Sequence, residues 1–238
     1  MKECAAPPSY VGYRFPPEII AHAVWLYYRF ARSCRDVEEL LAARGVIVTD
    51  ETIRRWSWQF GQTYANALRR RRPRPGDKWP LDEVFLRING VQHSLWRAVD
   101  QDGNVLDSLV PSRRDAAAAR TFFRTLLKGL QAVPRVVSTD TLASYGAAKR
   151  DVLPSVEHRQ HKRLNNRAEN AHQPTRERER RMRRFKRPGH AQRFLAASGP
   201  ISSSFRPRRH RLTAEAYRQR RGHAFATWRE VTGVATAA

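Results

Sequence analysis

Three acidic side chains stand where the sequence could support metal-assisted chemistry on phosphate. Asp82 lies on the first predicted strand, Asp140 ends a later strand and Glu169 lies on the helix that follows. Carboxylates gathered in one site repel one another unless a cation lies between them, and hard oxygen ligands select Mg²⁺, for which Mn²⁺ can substitute. Two such ions can drive an in-line displacement at phosphorus. Spacing alone leaves an equal alternative, in which these acids cap elements or are solvated.

Alternating apolar and polar residues predict the strands that would carry these acids. The predicted strands cover residues 81–89, 92–99, 105–110 and 135–139. Asn89-Gly90 is a strong signal for a two-residue hairpin turn. An alanine-rich helix at 115–130 precedes the strand that ends on Asp140, and a long polar helix carries Glu169. This order describes an α/β core of RNase H-like fold, a mixed five-stranded sheet with helices in which the first and fourth strands lie side by side.

An all-α region precedes this core. Apolar residues recur at helical spacing in three short stretches, and Ser33 to Asp36 fits the start signal of the second helix. The second and third helices resemble a helix-turn-helix. The predicted domains are an N-terminal tail at 1–15, a helix-turn-helix DNA-binding domain at 16–62, a basic linker at 63–78, an RNase H-like catalytic domain at 79–200 and a C-terminal helical segment at 201–238.

The third helix would lie in the major groove of DNA if this interpretation holds. Its non-core residues would then contact DNA, namely Thr52, Arg54, Arg55 and Gln59. A small three-helix bundle with an ordinary charged face explains the pattern about equally well. The arginine cluster of the predicted linker favours DNA, and it consists of Arg69, Arg70, Arg71 and Arg72.

The charge of the whole chain points in the same direction. The 238 residues include 45 Lys or Arg and 22 Asp or Glu, for a net charge of +23. A surface this basic needs a polyanion, and nucleic acid is the first partner to expect. No apolar run is long enough for a membrane span, so a cytoplasmic, nucleoid-associated protein is expected. The chain has only two cysteines and no glycine-rich phosphate loop. Neither a zinc site nor a nucleotide cofactor is therefore expected.

Several short segments carry a family resemblance that covers nearly the whole chain. They are Arg35-Asp36-Val37-Glu38-Glu39-Leu40-Leu41, Glu51-Thr52-Ile53-Arg54-Arg55-Trp56, Lys78-Trp79-Pro80-Leu81-Asp82-Glu83-Val84, Leu95-Trp96-Arg97-Ala98-Val99-Asp100, Ser138-Thr139-Asp140, Tyr145-Gly146-Ala147-Ala148, Glu157-His158-Arg159 and Asn165-Asn166-Arg167-Ala168-Glu169-Asn170-Ala171-His172. Together they strongly resemble the DDE transposases of bacterial insertion sequences, and more narrowly insertion sequence family six.

The resemblance implies a function and a set of residues. The catalytic and metal-binding acids of the family fall on Asp82, Asp140 and Glu169, and its basic residue seven positions later falls on Arg176. The protein would bind terminal inverted repeats and target DNA, and it would cleave and join strands with Mg²⁺. Transposition would be replicative and form cointegrates. Because two DNA ends are joined at once, at least a homodimer is expected.

The polar helix and the residues after it add further DNA-binding candidates. His172 is expected to contact phosphate or to orient a carboxylate. The arginine-rich stretch after Glu169 is predicted to follow the DNA backbone, through Arg180, Arg183 and Arg184. A solvated face is the alternative for this stretch, at about half the weight.

Two other functions fit parts of the sequence. A catalytically impaired DNA-binding regulator derived from a transposase is favoured by Pro80, where the family usually has His, and by Thr141, where it usually has Lys. A ribonuclease acting on RNA:DNA hybrids would share the fold but would not need the helix-turn-helix.

The C-terminal segment is predicted to form an amphipathic helix that packs on the catalytic domain or a partner subunit. The prediction rests on the helical spacing of Tyr217, Ala224, Phe225, Trp228 and Val231.

Overall fold

The computed structural model describes residues 7–30, 32–139, 143–160, 166–181, 184–207 and 212–234, without the side chains of residues 143, 166–171 and 174. The chain forms two compact units. The first combines both ends of the chain, Met1–Arg72 and Pro200–Ala238, and the second is Pro73–Gly199. In the part described, no helix is long and apolar enough to cross a membrane.

The first unit is helical, and its three predicted N-terminal helices are present. They are α1 (Pro17–Arg29), α2 (Cys34–Ala42) and α3 (Asp50–Arg71). Ser33 and Asp36 form a capping box at the start of α2, since the Ser33 side chain accepts from the backbone of Asp36 and the Asp36 carboxylate accepts from the backbone of Ser33. The Thr49 hydroxyl caps α3 by accepting a hydrogen bond from the backbone of Thr52. These caps fix where the second and third helices begin.

The predicted linker at 63–78 is mostly helix, so that prediction is wrong in its first half. Helix α3 continues through residue 71, because Tyr64, Ala65 and Leu68 extend its buried apolar stripe beyond Phe60. The arginines from 69 onward read as a linker by composition. In the structure, three of them form the last turn of α3, where positive side chains interact favourably with the helix dipole.

The two ends of the chain pack on α3. Tyr10 stacks on Phe60 with ring centroids 5.0 Å apart, and the Tyr10 hydroxyl contacts the Tyr64 hydroxyl at 2.6 Å, so the described part of the predicted tail is docked. The predicted C-terminal helix is α8 (Ala214–Thr232), and its Trp228 ring meets Tyr64 at 5.2 Å. The expectation that this helix packs on the catalytic domain is corrected, because its apolar side chains complete the core of the first unit.

The second unit contains a five-stranded mixed sheet. Its strands are β1 (Lys78–Ile88), β2 (Val91–Val99), β3 (Val105–Leu109), β4 (Val136–Thr139) and β5 (Glu157–Gln160). They lie in the order β3-β2-β1-β4-β5. The first three are antiparallel, and β4 and β5 run parallel to β1 and to each other. The predicted adjacency of the first and fourth strands, and the RNase H-like class, are confirmed.

Two turns explain why the first three strands form a meander. Asn89 and Gly90 have positive φ values of 50° and 82°, as a type I′ hairpin turn requires. In the second turn, the Asp100 carboxylate accepts backbone hydrogen bonds from Asp102 and Asn104 at 2.7 and 2.9 Å. The first of these turns was predicted from the sequence.

Pro80 lies in the central strand, at a point where a proline costs little. Strand β1 pairs with β4 only at residues 78–80, and its pairing with β2 begins at Leu81. Pro80 therefore stands where one set of partners ends and the other begins. Since proline lacks a backbone donor and is usually confined to edges and bulges of sheets, this change of partner accommodates it.

Helices cover both faces of the sheet. Helices α4 (Ala116–Leu130) and α5 (Ala143–Val152) pack on one face, over a core that includes Leu81, Trp96 and Phe122. Helix α6 (Asn166–Arg181) contacts β1 and β2. Side chains alternate along a strand, so Asp82 and Arg97 point away from the Leu81–Trp96 core and toward the face that α6 covers. This face holds the candidate active site.

The edge strand β3 is closed by helix α7 (Pro188–Ser204). The Gln192 side chain accepts from the backbone of Val110 at 2.7 Å and donates to the Ser108 carbonyl at 2.9 Å. A side-chain amide thus takes the place of a neighbouring strand at this edge. Covering an edge in this way prevents pairing with another chain.

Candidate active site and DNA-facing surface

Asp82 lies on the central strand and is almost buried, with 8% of its surface exposed. Arg97 is its direct partner across the antiparallel β1–β2 pair. From the opposite side, α6 brings the His172 ring to the carboxylate, with Nε2 3.5 Å from Oδ2. The predicted acid is therefore held between a buried arginine and a buried histidine.

Arg97 connects three elements around Asp82. Its side chain is 4% exposed, Nε donates to the Ser108 hydroxyl at 3.1 Å, and Nη2 donates to the Thr175 hydroxyl at 2.8 Å. Ser108 lies on β3 and Thr175 on α6. The guanidinium thus links the helix that carries Glu169 to the strands beside Asp82.

His172 is buried, so the prediction that it contacts DNA phosphate is corrected. Only 1% of its surface is exposed. Burial, assisted by the positive charges of Arg97 and Arg176, lowers the pKa of His172 to about 2, so the ring is neutral. Its position fits the other expectation, that it orients a carboxylate, and the carboxylate is that of Asp82.

Two of the three predicted acids cannot be placed in this geometry. Asp140 follows the last residue of β4, outside the described residues, as does Thr141. Glu169 belongs to α6, but its side chain is not described. Among the described residues, no three His, Cys, Asp or Glu side chains form a group that could hold a metal ion. The assignment of these two acids stays a prediction.

The basic residues after Glu169 divide into exposed and buried ones. Arg176, Arg180 and Arg184 are exposed, and Arg183 lies outside the described residues. Arg178 was not predicted as special, yet it is 2% exposed and its guanidinium lies 5.0 Å from the Phe194 ring centroid. The three-residue spacing of His172, Thr175 and Arg178 marks the buried stripe of α6 and could have revealed these residues.

Glu83, the acid next to Asp82, has a different environment. Its side chain is 3% exposed and pairs with Arg114 at 2.5 Å, and Trp96 Nε1 donates to it at 3.1 Å. Burial by itself would raise the pKa of Glu83, but the hydrogen bonds from Arg114, Ser94 and Trp96 outweigh burial and lower it. The Glu83 carboxylate therefore has a structural role, on the face of the sheet opposite Asp82.

The predicted DNA-reading residues of α3 lie on its outer face. Arg54, Arg55 and Gln59 are exposed, and Thr52 is half-buried. Arg54 forms ion pairs with Glu51 and Asp50 of the same helix, and Arg55 lies 3.7 Å from Glu51. The acids in the first turn of α3 therefore orient these two arginines and reduce the net positive charge of this face of the helix.

Trp58 shares this face, and 55% of its surface is exposed. It lines a groove of about 730 Å³ between α3 and residues 12–15. The linker arginines are less uniform. Arg70 is exposed, Arg69 donates to Asn66 at 3.0 Å, Arg71 pairs with Glu230 of α8, and Arg72 is half-buried.

Comparison with known proteins identifies the family. A family model described as a DDE domain, of the IS240 transposase type, matches residues 76–206. The transposase of insertion sequence element IS257 in transposon Tn4003, from Staphylococcus aureus, is 32% identical over 170 residues, which is 69% of this chain and 75% of that protein. The transposases of IS431mec from the same species are 31% identical over the same share.

Solved structures also resemble the chain, at low similarity. The Mos1 transposase catalytic domain, in a structure with raltegravir and Mg, is 15% identical with a TM-score of 0.37 and covers 74% of this chain and 93% of its own. The catalytic core domain of bovine immunodeficiency virus (BIV) integrase is 15% identical with a TM-score of 0.36, over 64% of this chain and 97% of its own. The fold assignment rests on the strand order described above. By its family match and its identity to the staphylococcal transposases, the chain belongs to the DDE transposases of bacterial insertion sequences, in insertion sequence family six, and is an enzyme of that class.

Proposed function

We propose that this transposase binds the terminal inverted repeats of its element and catalyses metal-dependent cleavage and transfer of DNA strands, with Asp82, Asp140 and Glu169 as the catalytic acids. The observation that carries the proposal is the nearly buried Asp82 on the central strand, with α6 packed beside it. Replicative transfer that yields cointegrates, and an assembly of at least two copies, are parts of the same proposal.

The register of the parallel strands supports a site shared by Asp82 and Asp140. Lys78 pairs with Val136 and Pro80 with Ser138, so partners differ by 58 positions. If the same offset were continued by two residues, it would match position 82 with position 140. Residues paired in this way point to the same face of a sheet, which supports the proposal that the two carboxylates act together.

The third acid is supported by helical spacing. Glu169 precedes His172 by one helical turn on α6, and residues three apart share a helix face. His172 lies 3.5 Å from Asp82, so α6 turns the side chain of residue 172 toward the sheet. We propose that Glu169 completes the acid set from this helix and that Arg176, exposed one turn after His172, contacts the DNA being processed.

The described part of the site fits a divalent cation. An almost buried carboxylate is a ligand type that Mg²⁺ and Mn²⁺ prefer, and the imidazole next to it is neutral. When bound, Mg²⁺ would lower the pKa of an attacking hydroxyl and stabilise the leaving oxygen. The three acids would hold it, while Arg97 and His172 fix the Asp82 side chain.

Repeat recognition is assigned to the exposed face of α3. Arg54, Arg55 and Gln59 would contact base edges, as guanidinium and amide groups do in the major groove, and Thr52 and Arg70 would contact the backbone. The exposed Arg180 and Arg184 would follow DNA near the active site. Apart from the half-buried Thr52, these roles use side chains that the fold leaves exposed.

Strand transfer of labelled repeat ends, taken from the flanks of the gene, tests the proposal. The parent protein should nick and join such ends with Mg²⁺ or Mn²⁺, and it should prefer them over unrelated duplex. Asp82→Asn should remove the reaction and keep binding. A parent protein that binds the repeat but never nicks it with either ion contradicts the catalytic part.

One observation favours a second candidate, a catalytically impaired regulator. Pro80 is buried two residues before Asp82, at a position where the resembling transposases usually carry a histidine, so the imidazole expected from β1 itself is missing. If the parent protein is inactive but is a transposase, Pro80→His combined with Thr141→Lys should restore its strand transfer. A double variant that stays inert while it binds the repeat would establish the regulator.

A further inference from the structure

Three arginines from distant parts of the chain meet at one place in the first unit. They are Arg29 at the end of α1, Arg206 just after α7 and Arg221 on α8, and we call them the three-arginine cluster. No sequence pattern singles them out, since 177 positions separate the first two. They lie outside both the exposed face of α3 and the catalytic acids.

Aromatic packing brings the three segments together. The Phe205 ring contacts Trp25 with centroids 5.6 Å apart and Phe225 at 5.0 Å, and Trp25 contacts Phe225 at 5.4 Å. Each aromatic residue therefore contacts one from each of the other two segments. This partly buried aromatic contact fixes the positions of α1, α8 and the residues after α7 relative to one another.

Sequence spacing places each of the three arginines next to one of these aromatic residues. Arg29 is four residues after Trp25 on α1, and Arg221 is four residues before Phe225 on α8, so each shares a helix face with its aromatic residue. Arg206 directly follows Phe205. In addition, Arg29 Nη2 donates to the Phe205 carbonyl at 3.4 Å. The cluster is therefore held at the rim of an aromatic core.

Placing these like charges together has an energetic cost in the free protein. The pKa of Arg29 is lowered by burial and by the positive charges of Arg206 and Arg221. An anion at the cluster would relieve this repulsion.

We infer that the three-arginine cluster binds the phosphate backbone of duplex DNA, as a contact independent of base sequence in the unit that contains α3. Guanidinium groups match phosphate oxygens with paired donors. Arg206 and Arg221 are exposed and Arg29 is half-buried, so the cluster is accessible. The inference rests on the proposed DNA transposase function and extends it to a second binding surface.

Charge-removing variants of the full chain test this inference. Arg206→Gln, Arg221→Gln and the double variant should weaken binding to repeat DNA and to unrelated duplex equally, by about three- to tenfold per arginine at moderate salt. The slope of log affinity against log salt should decrease by about one per arginine. Arg124→Gln, which removes an equally exposed charge on α4 of the other unit, is the matched control and should change binding less.

Stability provides a readout with the opposite sign. Without DNA and at low salt, the same variants should melt at the same or a higher temperature than the parent, because repulsion is relieved, and the difference should vanish at high salt. Inorganic phosphate should reproduce at most a small part of the stabilisation that duplex DNA gives the parent. A lower melting temperature at low salt with unchanged DNA affinity would show a structural role and overturn the inference.

Other outcomes are equally decisive. If the double variant keeps the DNA affinity and the salt slope of the parent, the inference is overturned. A loss of affinity confined to the repeat also overturns it, because that result would indicate a base contact. If the variants weaken all duplexes but the parent neither prefers the repeat nor joins strands, the phosphate site stands and the proposed function fails. Should Arg206→Gln not fold, Arg221→Gln alone decides.

Discussion

The exposed face of α3 and the surroundings of Asp82 use similar side chains in opposite environments. On α3, Arg54 and Arg55 extend into solvent and are neutralised only by acids one turn away. Around Asp82, Arg97 is 4% exposed and His172 1% exposed. The first site therefore depends little on the fold of its neighbours, whereas the second is part of the core. Substitutions in the two sites should have different effects on stability.

The largest effect is expected from Asp82→Asn. The change keeps volume but removes a negative charge, so strand transfer should fall by at least about a thousandfold, or about 4 kcal/mol of transition-state stabilisation. Repeat binding should be unchanged. Asp140→Asn and Glu169→Gln should behave alike. Glu83→Gln, on the same strand but the opposite face, is the control and should keep most activity, and an equal loss there would remove the distinction between the two acids.

Arg97→Leu tests whether the buried site is built into the fold. It leaves the Ser108 and Thr175 hydroxyls without a donor that they now contact at 3.1 and 2.8 Å. We expect the second unit to lose about 2–4 kcal/mol of stability, measured by urea unfolding. Arg124→Leu on the surface of α4 should cost less than about 0.5 kcal/mol. Similar values for the two variants would contradict the comparison.

Arg55→Ala tests the exposed site. Loss of a base contact should weaken repeat binding by about 1–3 kcal/mol and blur discrimination against mutated ends. Unfolding should be unchanged, because the side chain is exposed. Arg54→Ala should act similarly, while Arg70→Ala should weaken binding to all DNA equally. Titrations with repeat and unrelated duplexes distinguish these cases, and an unchanged repeat preference in both Arg54 and Arg55 variants argues against the groove assignment.

The smallest effect is a pH dependence at Glu83. Because its folded-state pKa is lowered from 4.5, the carboxylate contributes stability above that value, and this contribution is lost as pH falls through the folded-state pKa. Melting temperature should therefore fall more steeply below about pH 4.5 in the parent than in Glu83→Gln. The difference should stay near 1 kcal/mol or less, since Arg114 is half-exposed. Parallel pH profiles for the two proteins would refute this role.

Local sequence signals predicted the parts of the fold that local chemistry determines. Asn89-Gly90 specified its hairpin, Ser33 specified the start of α2, and alternation specified β1 and β2. The end of α3 was missed because consecutive arginines resemble a linker, although Tyr64 and Leu68 continue the apolar stripe. The true end of α3 becomes evident only from its packing against α8, which begins more than 140 residues further along the chain.

The catalytic side of the molecule was only half predictable for a similar reason. Asp82 could be assigned from its strand, but the roles of Arg97 and His172 depend on register between strands and on how α6 packs. Residue type misled in the case of His172, since histidine is often a surface ligand of phosphate. The three-arginine cluster depends on contacts among three segments, and no single stretch contains its signal.

The division of the chain between the two units has a consequence for synthesis on the ribosome. Domains generally fold as units, the N-terminal one first. Here the unit that begins the chain also needs residues from 200 onward, whereas the sheet unit is complete at residue 199. Helix α3 therefore emerges early but lacks the Trp228 contact to Tyr64 until α8 follows. A nascent chain can therefore finish the sheet unit before the helical unit, so the repeat binding proposed for α3 would have to wait until α8 has been synthesised.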